Sequence, residues 1–319
     1  MQGPLLLVAG LAALPWAYSM KTLAPPANWL YTSELHDTAV KLLNRSDIAG
    51  AQVLYSWKSL ERGKDQYDFS RIQGDIATAK ARGKKLWVQL QDRSFDKSID
   101  PVPRYLKVPY YNNGSAQTCD GNNCTANFVV GGHVAQHWNP RVRERFQALL
   151  TAMARELDGS LYGINLAETA IEVDSKKDNY TDAGYFYGEL ENARHAASVF
   201  NKTFVVQYVN FWPDGWANAK GRLDESFDFY AKHGIGAGGP DLIPEAENQL
   251  KNSYPFLRRY RTKLPISVVA VQEPDLKATN PHTNAPFTKK EFVDYATNYL
   301  GVKIIFWATS SPWLKSNAA

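Results

Sequence analysis

Acidic residues stand at the ends of apolar runs: Glu168 closes LYGINLAE and Glu273 follows ISVVAVQ. Asp92 follows KKLWVQLQ, and Asp241 follows GIGAGGP. Amides keep them company at comparable places: Gln89, Gln91, Asn165, Gln207, Asn210 and Gln272. So do the aromatics Tyr55, Trp57, Trp212 and Trp307. A carboxyl group at the end of a short apolar strand can be pushed toward its protonated form, and so can serve as a general acid. A second carboxylate can act as base or nucleophile. Amides and aromatic faces supply hydrogen bonds and stacking surface for a ring-shaped ligand.

Other candidate motifs lack their context. Gly234, Gly236 and Gly239 match G-x-G-x-x-G, but they occupy the strand, and Pro240 and Pro244 follow. A dinucleotide site needs that motif to open a helix, so no cofactor is expected. His133 and His137 are four apart, yet they follow Gly131-Gly132 in a loop with no third ligand nearby, so no metal is expected. Neither a G-x-S-x-G elbow, an H-E-x-x-H pair nor a Walker loop occurs. The two cysteines, Cys119 and Cys124 in CDGNNC, read as a local disulfide clipping a surface loop.

The elements that must position these groups alternate along the chain. Nearly continuous apolar strands are predicted at 50–57, 84–91, 161–168, 203–211, 234–239, 266–272 and 302–309, with a weaker one at 27–32. Helical stretches lie between, at 33–45, 69–83, 139–159, 182–201, 216–234, 244–261 and 288–301. Asn139 and Pro140 mark one start, and Thr288 with Glu291 spells a capping box. Repeated βα units point to a (β/α)8 TIM barrel, with an open doubly wound sheet as the alternative. In such a barrel all strand C-termini converge on one mouth, so the polar strand ends gather there. Residues 92–138, after the third strand, form a long insertion read as a lid or cleft wall.

The chain has 319 residues and a net charge of 36 − 32 = +4, which gives no case for nucleic acid as partner. Its aromatic content, 13%, suits a large core or a stacking surface. The uncharged run 4–14 is too short for a bilayer span of about 20 residues. It reads as the apolar part of a signal peptide over 1–19, with 20–319 as one catalytic domain of a monomeric, secreted or periplasmic protein.

The stretch YSWKSLERGKDQYDFSRI (55–72) carries a resemblance. With Trp57, Glu61, Gly63 or Lys64, Tyr67, Asp68 and Phe69, it resembles the second strand and following turn of retaining (β/α)8 glycoside hydrolases. The order continues through Glu168, Glu273 and Trp307, covering about 50–310 at the level of the clan. The clan has Asn directly before the strand-four glutamate; this chain has Ala167, with Asn165 three residues before Glu168. The resemblance implies cleavage of glycosidic bonds in a poly- or oligosaccharide by two carboxyl groups, with Glu168 as acid/base and Glu273 as nucleophile. Tyr55, Trp57, Gln89, Gln91, Asp92, Asn165, Gln207, Asn210, Trp212, Asp241, Gln272 and Trp307 are the expected sugar contacts. Strand alternation sets Gln272 against Glu273: if Gln272 points inward, Asp92 or Asp241 becomes the second carboxylate. A non-catalytic carbohydrate-binding barrel is the alternative reading.

Overall fold

The structure is a computed structural model that describes residues 24–119 and 128–315. Its eight parallel strands are β1 (Ala27–Thr32), β2 (Gly50–Ser56), β3 (Lys85–Gln91), β4 (Gly163–Leu166), β5 (Phe204–Tyr208), β6 (Gly236–Gly239), β7 (Ser267–Val271) and β8 (Ile304–Ala308). They pair in chain order, and β8 returns to β1 in the register Ala27↔Ile304 to close the barrel. Closure removes the open-sheet alternative. Helices α1 (Asp37–Leu42), α2 (Ser70–Lys80), α3 (Pro140–Leu157), α4 (Asp182–Val199), α5 (Arg222–His233), α6 (Ser253–Tyr260) and α7 (Lys289–Asp294) follow the first seven strands.

The expected caps form. The Asn139 side chain accepts from the Arg141 amide ahead of Pro140, and Thr288 and Glu291 exchange both capping-box bonds.

Alternation along each strand sorts side chains into two layers. Inside the barrel Trp29, Trp87 and Phe306 meet edge to face, with ring centroids 5.3–6.3 Å apart. Glycine makes that layer possible. A Cβ on Gly163 would lie 2.4 Å from the Trp87 ring, and one on Gly238 would lie 2.5 Å from the Val268 carbonyl. The larger layer lies between strands and helices and holds Trp57, Phe146, Trp212 and Trp307.

Residues 92–138 carry a small antiparallel sheet: Arg93–Ser94, Val130–Ala135 and Ser115–Cys119, with the middle strand paired to both others. The expected clip and leader involve Cys124 and the run 4–14, which lie outside the described residues. Among the described residues no helix is long and apolar enough to cross a membrane.

Candidate active site

At the C-terminal ends of the strands opens a cleft of about 670 Å³. Tyr31 of β1, Ser56 of β2, Gln89 and Gln91 of β3, and Tyr208 of β5 line its walls. Glu168, Asp241 and Gln272 reach it from just beyond β4, β6 and β7. Arg93, Phe95 and Ile99 of the insertion form one rim, and Phe95 is 75% exposed.

Glu168 is held by one hydrogen bond and feels one cation. Asn210 Nδ2 donates to its Oε2 at 2.8 Å, and Asn210 is itself fixed by Gln249 Nε2 at 2.7 Å. Burial raises the Glu168 carboxyl above its ordinary value, and the Arg93 guanidinium and the Asn210 bond offset only part of that rise. Arg93 is in turn anchored by donating to the Ala170 carbonyl and, at 2.6 Å, to the Tyr185 hydroxyl. Asp241 has no such cation. Burial, and then the charge of Glu168, push it up to about 7. The Gln272 amide donates to Asp241 Oδ1 at 3.3 Å and to the Pro240 carbonyl at 3.0 Å. Tyr31 donates to Gln272 Oε1 at 3.1 Å and so fixes its flip. Behind them Asp275 accepts the Gln272 backbone amide at 2.7 Å. Burial, followed by the Asp241 charge, raises Asp275 to about 8.

The expected residues divide. Gln89, Gln91, Asp241 and Gln272 line the cleft with Glu168, and Asn210 holds Glu168. Glu273 does not line it: it is exposed and accepts from Ser310 at 3.2 Å, because β7 alternation turns Gln272 inward. Tyr55 points outward and donates to Asp75 on α2. Trp57 donates to Glu61 and stacks edge-on against Phe146 in the outer layer. Trp212 is buried with its indole N–H on Ser226, and Trp307 packs on Trp313 with its N–H on Asn28. Each large aromatic was expected at a sugar face, but Tyr55 and Trp307 hold outward strand positions and Trp57 and Trp212 lie just past their strands, and all four pack against helices. Gln207 also turns outward and donates to the Ala167 and Tyr208 carbonyls. Asn165 points inward but lies deep, accepting from Gln52 at 2.8 Å and Trp87 at 3.0 Å, below the cleft floor. Asp92 is buried behind the wall.

Tyr31, Tyr208 and Arg93 were missed. For the tyrosines the signal was present: Trp29 and Tyr31, like Val206 and Tyr208, share a strand face.

Asp92, His137 and Glu189 form a buried cluster whose ligand-type atoms all lie within 4.8 Å of one another. His137 Nδ1 is 2.9 Å from Glu189 Oε1, and Nε2 is 3.2 Å from Asp92 Oδ2. Nδ1 makes a hydrogen bond with Glu189, whereas Nε2 and Asp92 Oδ1 are buried without one, and the Arg93 charge acts on both carboxylates.

No protein-family model and no curated protein matches the chain. Among solved structures it is similar to a β-galactosidase from the psychrophilic Marinomonas ef1 (TM-score 0.56, 9% identity, covering 88% of this chain and 53% of that one). It is similar to a xylanase A mutant from P. fluorescens subsp. cellulosa bound to xylopentaose (TM-score 0.51, 12% identity, covering 92% and 90%). It is also similar to an old yellow enzyme homologue from Zymomonas mobilis (TM-score 0.50, 11% identity, covering 88% and 84%). At these identities the likeness shows the fold alone, a (β/α)8 barrel, and leaves the chemistry to the cleft.

Proposed function

We propose that the chain is a glycoside hydrolase that cleaves a poly- or oligosaccharide with Glu168 and Asp241 as its two carboxyl groups. The observation that carries this reading is their unequal surroundings in one cleft: burial raises both carboxyls, but Arg93 and Asn210 offset part of that rise at Glu168, whereas the Glu168 charge adds to it at Asp241. Two carboxyl groups pushed apart by their environments take separate acid and base roles. Asp241 protonates the leaving oxygen. Glu168 attacks the anomeric carbon or deprotonates the attacking water. This exchanges the role expected for Glu168 and moves the second carboxylate from Glu273 to Asp241.

A retaining course rests on the resemblance at 55–72: Glu168 forms a glycosyl ester, and the Asp241 carboxylate then takes a proton from the water that hydrolyses it. Gln89, Gln91, Tyr31 and Gln272 supply the hydrogen bonds that orient the sugar. A single domain over 20–319 behind a cleaved leader at 1–19, exported and monomeric, completes the reading. The Cys119–Cys124 clip belongs to it too; among the described residues no cysteine is free.

Reducing-end release from a polysaccharide panel tests it, with wild type beside Glu168→Gln, Asp241→Asn and Glu273→Gln. Wild type and Glu273→Gln are expected to release sugar, and the other two to fall by about 10²–10⁴-fold. Activity that survives in Asp241→Asn but not in Glu273→Gln restores Glu273 as the second carboxylate. Sugar binding without release by wild type favours the binding barrel.

A further inference from the structure

His137 closes the insertion, and its ring lies between Asp92 at the end of β3 and Glu189 on α4. The ring is fully buried, and the two carboxylates are nearly so. Its backbone is clamped as well. Arg143 of α3 donates to the His137 carbonyl at 2.8 Å, and a Cβ on Gly188 of α4 would lie 2.3 Å from that oxygen. Phe146 of α3 covers the ring at 4.7 Å between centroids. A neutral imidazole has one N–H; with Nδ1 hydrogen-bonded to Glu189, a neutral ring would set a bare Nε2 lone pair 3.2 Å from the Asp92 carboxylate. An unpaired buried carboxylate is costly.

Arg93, next to Asp92 in the chain, faces the same group from the cleft side. Its charge is felt by Asp92, Glu189 and Glu168 together. A neutral His137 would leave the Arg93 charge shared among three carboxylates. Tyr185 of α4 faces Arg93, and Tyr230 of α5 faces Glu189; both are neutral phenols whose ionisation is disfavoured by burial.

We propose that His137 is a positioning residue: as an imidazolium between Asp92 and Glu189 it neutralises both, and so reserves Arg93 for the Glu168 anion. The inference rests on the glycosidase reading for its kinetic consequence, and on geometry alone for the charge of the ring. The direction of the His137 shift agrees, since Glu189 and Asp92 raise it against the burial that lowers it.

Two measurements test it. The first is ¹⁵N NMR of histidine-labelled wild type from pH 5 to 9, which needs no substrate. Both His137 ring nitrogens are expected to stay protonated through pH 8. A ring that titrates near the ordinary value of about 6.5 overturns the proposal. The second is the pH profile of kcat/KM for His137→Gln and for the charge-balanced Asp92→Asn/His137→Gln pair. The single variant is expected to move the acid limb up by about one unit, because Glu168 loses part of its cation. The double variant is expected to return it toward wild type. An unmoved limb in the single variant, or no recovery in the double, reduces His137 to packing. If the single variant does not fold, the double variant and the NMR result decide. Absence of any turnover strikes the glycosidase reading and leaves the ring's charge to the NMR measurement.

Discussion

Asp241 draws opposite consequences from one environment. As a general acid it must carry a proton, and its value of about 7 means that activity falls as the pH rises through neutrality. The folded protein holds that proton at a pH where the unfolded chain, near 3.8, has released it. Folding therefore takes up a proton between those two values, and stability falls as pH rises from about 4 to about 7. Asp275, raised to about 8, acts in the same direction. Asp241→Asn is thus expected to lose turnover yet raise Tm at pH 8, with the gain shrinking toward pH 4. Scanning calorimetry at the two pH values checks this, and an equal shift at both contradicts it. The acid itself was legible in the sequence, as a carboxylate beyond the sixth strand. The role proposed for it was not, because the cation that offsets burial at Glu168 arrives from the β3 end and the partner that fixes that cation from α4.

Strand alternation decides which of the expected residues can meet a ligand. All eight strands were legible, since apolar runs covered on both faces have no competing reading at that length. Polar strand ends located the mouth. Alternation could not be carried past the last paired residue: β4 ends at Leu166, two residues before Glu168, and the chain bends there. Large aromatics misled for a related reason, since an outward strand position under a helix buries a Trp as fully as an inward one. Trp307→Phe removes the bond to Asn28 and packing against Trp313. It is expected to lower stability by about 1–3 kcal/mol in urea titration with kcat/KM unchanged. Gln272→Ala, one position past Val271, the β7 register partner of Trp307, is expected to lower kcat/KM with a smaller stability change. Gly238→Ala presses on the Val268 carbonyl and is expected to cost about 1–3 kcal/mol.

At the scale of the molecule, the insertion is the part of the barrel least like a repeat. Its length and its place after the third strand were legible; its small sheet was not, because Arg93–Ser94 and Ser115–Cys119 are too short and polar to stand out as strands. Phe95 at its rim faces solvent and the cleft at once, so Phe95→Ala is expected to raise KM while leaving Tm unchanged. The other end of the barrel is stoppered by Trp29, Trp87 and Phe306. A vessel sealed at the bottom has one doorway, and arrivals and departures share it. On the proposed glycosidase reading, a cleaved fragment still in the cleft stands where the next chain must enter, so turnover is expected to slow in competition with its own product, and a wider doorway at Phe95 to speed exit as well as loosen the grip on entry.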